Sequence, residues 1–227
     1  MKHIVIILAG GLGSRVGGET PKQLLPLKDG RTVLEHSVDA FEQATCIDEI
    51  AIVMHPEWID EAQTIVERNA WQKVTRIIPG GAERWESSWN AIRAYLQEHV
   101  KEDKRFVWFH DAARPFVSQE IIKRVADGLK TYWAVTVAVP MTDTLYCMQG
   151  NKVADIPNRK AFMRAQTPQA FHMAVISSAY MRAIESGHVQ ATDDVGILMK
   201  YNPEIEVYVV AGEEANKKIT YSEDLDN

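Results

Sequence analysis

The chain has 227 residues, enough for one large domain or for one domain with an appendage. A hydrophobic fraction of 46% with 25% charged residues is that of an ordinary soluble globular protein. The net charge of −6 gives bulk electrostatics no pull toward nucleic acid or a membrane surface, so any anion site must be assembled from local cations.

The first segment, His3–Leu8, is a short apolar run that reads as a buried strand. It is too short for the apolar part of a signal peptide, and no later run reaches the length of a membrane-spanning helix. Further strands are predicted at Glu49–Met54, Val74–Ile78, Phe106–His110, Ala134–Val139 and Glu206–Val210. Helices are predicted between and after them, at Thr32–Gln43, Trp58–Asn69, Glu83–Glu98, Gln119–Lys130, Ala174–Glu185 and Asp193–Lys200. Val33, Leu34, Ser37, Val38 and Phe41 fall on one face at helical spacing. The alternation implies βαβ units: an α/β fold, a single Rossmann-like domain over 1–227 with a mostly parallel twisted sheet. Ligands of such sheets bind outside the carboxyl ends of the strands, so the chemistry belongs in the loops after them.

The loop after the first strand, "LAGGLGSRVGGETPKQLL", holds five glycines within residues 8–25. Glycines directly after a buried strand let backbone N–H groups approach an anion. The Walker A pattern fails because no Gly-Lys-Ser/Thr follows. The dinucleotide fingerprint is weakened because, counted from Gly11, its last place is Val16 and the glycine comes one residue late. A third type remains, the nucleotidyltransferase loop, in which Gly10, Gly11 and Gly13 cradle phosphates. Arg15 and Lys22 there supply the positive charge a triphosphate needs.

"PGGAERWESSWNAI" (79–92) is a second strand–glycine turn–helix junction. Gly81 and Ala82 offer backbone groups to a base edge and Ser87 can reach the same ligand, while Trp85 and Trp89, one helical turn apart, read as core. "FHDAARPF" (109–116) places Asp111 at a strand's carboxyl end, where it is suited to a divalent cation, with Arg114 three residues on. His110 reads as an oriented structural histidine rather than a base. The sixteen residues Thr142–Pro157, with a central Gly-Asn turn, read as a β-hairpin arm inserted after the fifth strand. Such an arm cannot form its own core and needs a surface to pack on, a dimer partner or its own subunit. Thr167-Pro168-Gln169 reads as a rigid, hydroxyl-bearing turn. In "ATDDVG" (191–196), Thr192 is the expected helix N-cap, with Asp193 and Asp194 at the positive end of the helix dipole. "NKKIT" (216–220) carries two lysines after the last strand. Cys46 and Cys147, far apart and without metal-ligand spacing, read as free thiols of a reducing cytoplasm.

Taken in order, "LAGGLGSR…PKQ", "GGAER…S", "HDAARPF", "TDT", "NR…AQTPQ.F", "TDD" and "NKKIT…EDL" resemble the family of cytidylyltransferases that make CDP-alditols. These are the 2-C-methyl-D-erythritol 4-phosphate enzymes and their ribitol 5-phosphate relatives. The resemblance runs from Leu8 to Leu225. It implies transfer of CMP from CTP to an alditol phosphate, with Mg²⁺, by a cytoplasmic homodimer that uses neither nucleic acid nor membrane. By it, Arg15 and Lys22 are catalytic and grip the triphosphate. Ala9, Gly10, Gly81, Ala82 and Ser87 read cytosine, with Gly11, Gly13 and Lys218 beside the nucleotide. Asp111 lies near Mg²⁺ and the ribose. Arg114, Thr144, Thr167, Thr192 and Lys218 contact the alditol phosphate, and Arg159 reaches across from a partner's arm. "HDAARPF" and "RAQTPQAF" favour methylerythritol phosphate, whereas "LAGG" and "DIPNR" look more like the ribitol enzymes. A sugar-1-phosphate nucleotidyltransferase and a non-catalytic nucleotide-binding regulator are the remaining readings.

Overall fold

The computed structural model describes residues 1–11, 20–98 and 104–226. Gly13 and Arg15 lie outside them. Strand β1 (Lys2–Ala9) is followed by α1 (Val33–Glu42), β2 (Glu49–Met54), α2 (Ile59–Asn69), β3 (Val74–Pro79) and α3 (Arg84–Leu96). Strand β4 (Arg105–Asp111), α4 (Gln119–Gly128) and β5 (Ala134–Pro140) complete the first two thirds. The arm is β6 (Cys147–Gln149) and β7 (Lys152–Asp155); β8 (Met163–His172), α5 (Met173–Glu185), α6 (Asp194–Tyr201) and β9 (Tyr208–Ala211) follow.

These elements form a seven-stranded sheet in the order β3-β2-β1-β4-β8-β5-β9. From β1 the chain winds outward to β3, then returns to place β4 on the other side of β1. The crevice between the carboxyl ends of β1 and β4 is therefore the topological switch point, where open α/β sheets bind ligands. The register sets Leu8 opposite Asp111, and the Ala112 N–H donates to the Leu8 carbonyl at 3.0 Å. The central strands are apolar runs because both faces are covered, one by α1, α2 and α4 and the other by α3, α5 and α6. Val33, Leu34, Ser37, Val38 and Phe41 are all buried on α1, as their spacing requires. The α1 N-terminus is closed by a capping box: Thr32 Oγ1 accepts from the Glu35 N–H and Glu35 accepts from the Thr32 N–H.

Two expectations are corrected. Thr167-Pro168-Gln169 is not a turn but the middle of β8, which runs antiparallel between β4 and β5. The strand accommodates Pro168 because the register shifts there, Val135 pairing with Ala170 and Val137 with Gln166. The peptide bond before Pro168 is cis. Thr192 is not the N-cap of α6: Asp193 is, its Oδ1 accepting from the Gly196 N–H at 2.8 Å. Both residue types cap well, and Gln169, which bonds Asp193 and the Asp194 and Val195 N–H groups, fixes the segment with Asp193 at the cap. The hairpin falls where expected, turning at Gly150 with a φ of +59°, a conformation that favours glycine. Tyr146, Met148, Val153 and Ile156 of the arm are exposed. No described helix is long and apolar enough to cross a membrane.

Two buried carboxylates tie the fold together away from the crevice. Glu35 is bonded by Thr32, Asn69 and Arg68, and Glu49 by Lys2, Thr75 and Tyr95. Burial pushes both pKa values up, but these donors more than offset it and hold each at about 2 instead of 4.5. A folded-state value below the unfolded one means that ionisation favours folding. The contribution is complete above about pH 4.5 and is lost as pH falls toward 2. Thermal midpoints are expected to drop steeply through that window, and Glu35→Gln and Glu49→Gln to flatten the slope. A midpoint unchanged down to about pH 3 would contradict this assignment.

Candidate active site

The crevice is a cleft of about 270 Å³. It brings together residues from four separate sequence segments. Gly10, Gly11 and Lys22 come from the first loop, Gly81 and Ala82 from the β3–α3 turn with Ser87 from the start of α3, Asp111 from the end of β4, and Lys218 from the C-terminal segment.

The β3–α3 turn is built by close packing. A Cβ on Gly81 would lie 2.3 Å from the Cβ of Glu86, so only glycine lets the backbone pass. The Gly81 N–H donates to Ser87 Oγ at 3.1 Å, and the Glu83 N–H to Glu86 Oε2 at 3.1 Å. Ser87 is 5% exposed, so its hydroxyl shapes this turn as well as lining the cleft. Trp85 and Trp89 pack against the core, Trp89 stacking on Tyr180.

Asp111 sits at the centre of the charges. Lys218 Nζ lies 2.7 Å from its Oδ2 and Arg84 Nε 3.3 Å from its Oδ1. Burial pushes the Asp111 carboxyl up, but the Arg84 guanidinium and the Lys218 ammonium outweigh that and hold it well below the usual carboxylate range. Arg84 also places Nη1 2.8 Å from Oδ2 of Asp194, which is fully buried. Burial alone would lower the Arg84 pKa; the two carboxylates raise it instead.

A chain of hydrogen bonds fixes the backbone under Asp111. A carbonyl can only accept, so His110 Nε2–H donates to the Arg114 carbonyl at 3.0 Å. Nδ1 of the neutral ring then accepts from the Thr167 hydroxyl at 3.0 Å. Thr167 Oγ1 accepts in turn from the Asp111 N–H at 3.2 Å. Burial pushes the His110 pKa down to about 4, which keeps the ring neutral at pH 7. His110 is thus the oriented histidine expected. Thr167, 5% exposed, orients Asp111 rather than lining the cleft.

The C-terminal segment closes the cleft. Fully buried Asn216 donates to Gln166 Oε1 at 3.2 Å and to the Thr167 carbonyl at 2.9 Å. Arg114 Nη1 donates to the Asn216 carbonyl at 2.8 Å, and Lys22 Nζ to the Ile219 carbonyl at 2.7 Å. Arg114 therefore holds this segment in place. Ala9 ends β1 buried, its carbonyl accepting from Gln23 Nε2, which also donates to the Gly11 carbonyl at 2.7 Å. Thr144, Arg159 and Thr192 are exposed and do not line the cleft; Arg159 Nη1 donates to the Thr142 carbonyl at 2.6 Å. The sequence reading passed over Gln23, Arg84 and the pairing role of Asp194. "PKQ" and "GGAER" contain the first two, but nothing local shows what they hold.

Among the described residues no group of three His, Cys, Asp or Glu side chains could hold a metal ion. The donor chemistry nevertheless fits Mg²⁺ as one carboxylate plus substrate phosphates and water, the usual way that ion is held. Asp111 is ionised, and its Oδ1 has its cation at a long 3.3 Å.

A mostly parallel sheet with glycines at its switch point, Lys218 and Arg84 paired to one carboxylate there and Lys22 in the same cleft define a nucleotidyltransferase class of site. The family model for 2-C-methyl-D-erythritol 4-phosphate cytidylyltransferase (IspD) matches residues 3–227, and the chain belongs to that family. It is 44% identical over 224 residues to the enzyme of that name from Thermobifida fusca, covering 96% of this chain and 88% of the relative. It is 39% identical over 226 residues to the bifunctional ribulose 5-phosphate reductase/CDP-ribitol pyrophosphorylase Bcs1 of Haemophilus influenzae, covering 99% of this chain and 47% of that longer protein. The crystal structure of 4-diphosphocytidyl-2C-methyl-D-erythritol synthase from Anaerococcus prevotii superposes with a TM-score of 0.83 at 29% identity, covering 99% of this chain and 92% of that one. The Francisella tularensis 2-C-methyl-D-erythritol 4-phosphate cytidylyltransferase superposes with a TM-score of 0.80 at 27% identity, over 99% and 97% of the two chains.

Proposed function

We propose that the chain transfers CMP from CTP to 2-C-methyl-D-erythritol 4-phosphate, giving CDP-methylerythritol and pyrophosphate in isoprenoid synthesis. The observation that carries this is the convergence of Lys22, Lys218, Asp111 and the Gly81–Ser87 turn on one cleft. An oxygen of the alditol phosphate attacks the α-phosphorus of CTP; that P–O bond forms as the bond to the β-phosphate oxygen breaks, and its electrons leave with pyrophosphate. The nucleophile is already ionised, so no general base is required, in keeping with a neutral, buried His110. The protein positions two polyanions and offsets the charge that develops between them.

Lys22, and Arg15 by resemblance, hold the triphosphate. The backbone of Ala9, Gly10, Gly81 and Ala82 with Ser87 reads cytosine, and Lys218 faces the acceptor side of Asp111. Asp111 would hold Mg²⁺, which would supply Lewis-acid withdrawal of charge from the substrate phosphates. Arg114 and Thr167 support this wall from beneath. Thr144 and Thr192 with Arg159 of a partner subunit belong to the acceptor phosphate. The last assignment rests on a homodimer formed through the 142–157 arm, which the exposed Tyr146, Met148, Val153 and Ile156 support. Unpaired Cys46 and Cys147 support a cytoplasmic site of action.

Ribitol 5-phosphate is the second acceptor reading, favoured by "LAGG" and "DIPNR" and by the similarity to a CDP-ribitol pyrophosphorylase. Pyrophosphate release with CTP and each alditol phosphate tests both. Faster turnover with methylerythritol phosphate is expected. Turnover of ribitol phosphate alone would exchange the two readings, and turnover of neither would overturn the reaction.

A further inference from the structure

Arg84 is the first residue of α3, yet it holds a residue of α6. Its guanidinium spans the Asp111 and Asp194 carboxylates, at 3.3 and 2.8 Å. Asp194 is fully buried, and its other oxygen accepts from the Tyr180 hydroxyl at 2.6 Å. The start of α6 is fastened from a second side by Gln169 of β8. Gln169 Nε2 donates to Asp193 Oδ2 at 2.7 Å, and its Oε1 accepts from the Asp194 and Val195 N–H groups at 3.1 and 3.2 Å. Thr192, exposed, lies immediately before this clamped pair of aspartates. Asp111 in the cleft and the start of α6, which follows the proposed acceptor residue Thr192, are thus joined through one forked side chain.

From this bridge we infer that Arg84 is a positioning residue that sets where the 191–194 segment stands relative to Asp111, and so sets affinity for the acceptor phosphate more than for CTP. The inference rests on the CTP and alditol phosphate reading above. A fork is needed because a lysine is a single point charge and can serve one carboxylate but not span both.

The test compares wild type with Arg84→Lys, Arg84→Met and the double variant Arg84→Met/Asp194→Asn, by thermal midpoint and by KM for each substrate. Arg84→Met alone leaves the Asp194 charge buried without its partner and is expected to lower the midpoint sharply. The double variant removes both charges and is expected to recover most of that loss. Its KM for the alditol phosphate should stay raised by about tenfold, with KM for CTP changed by less than about threefold, because the fold is restored but the span is not. Arg84→Lys should show the same split. A double variant that regains both stability and the wild-type acceptor KM would reduce Arg84 to a structural counter-ion and overturn the inference alone. A wild-type chain that turns over neither alditol phosphate would overturn the reaction and this inference with it.

Discussion

Lys22→Ala is expected to lower turnover by about 10²–10³-fold, the scale seen when one preorganised charge-stabilising donor is removed. The lysine opens a short 3-10 turn that follows Pro21, lines the cleft, and is steadied by the Ile219 carbonyl at 2.7 Å. Its neighbour Gln23 is bonded to the Ala9 and Gly11 carbonyls, so the ammonium is carried on backbone already locked to the end of β1. Such a charge acts where negative charge grows most, on the departing pyrophosphate. The loss should therefore fall mainly on kcat, with a smaller rise in KM for CTP. The fold should survive, because Lys22 lines the cleft and its truncation opens the Ile219 carbonyl beneath it to water. Circular dichroism and the thermal midpoint check the fold, and pyrophosphate release checks the rate. Wild-type turnover in a folded variant would remove Lys22 from the catalytic role.

Asp111→Asn is expected to lower turnover by about 10²-fold, since a group that orients the reacting atoms is lost without any change of volume. The amide keeps the shape of the carboxylate but not the charge that organises Arg84 and Lys218. Arg84 retains Asp194, and Lys218 is exposed enough to be solvated, so the loss should appear in rate more than in stability. The pH profile gives a second check. The carboxyl of Asp111 is held well below the usual range, so it stays ionised throughout the acid limb of an ordinary rate profile. Wild type and Asp111→Asn should then differ in height and not in the position of that limb. A limb that vanishes in Asp111→Asn would show that Asp111 itself titrates there.

How legible these features were depends on how local their causes are. Strands β1, β2, β4 and β5 announce themselves because both faces are covered and the run of apolar residues is unbroken. The arm shows because a Gly-Asn turn between short β-like runs is a local signal. Strand β8 was missed because Pro168 and the polar Gln166, Thr167 and Gln169 carry turn chemistry. Only pairing with β4 and β5, with the register shift beside Val137, makes them a strand. The cap of α6 moved by one residue because Thr192 and Asp193 are both competent and tertiary contact with Gln169 decides between them. The cleft's glycines, lysines and Asp111 could be read from strand-end position and resemblance. The Arg84–Asp194 pair could not, since its two halves stand far apart in the chain and each alone is an ordinary helix-start residue.

Strand β8 leaves the arm region at Met163 and reaches Thr167 four residues later, a path of about 13 Å along extended backbone. The hydroxyl at that point is the one that holds the Asp111 N–H. The arm region and the centre of the site are therefore joined by one stretch of extended chain, paired with β5 from Met163 to Gln166 and with β4 from Gln169 onward. In mechanical terms the hairpin and the active site share one continuous length of backbone.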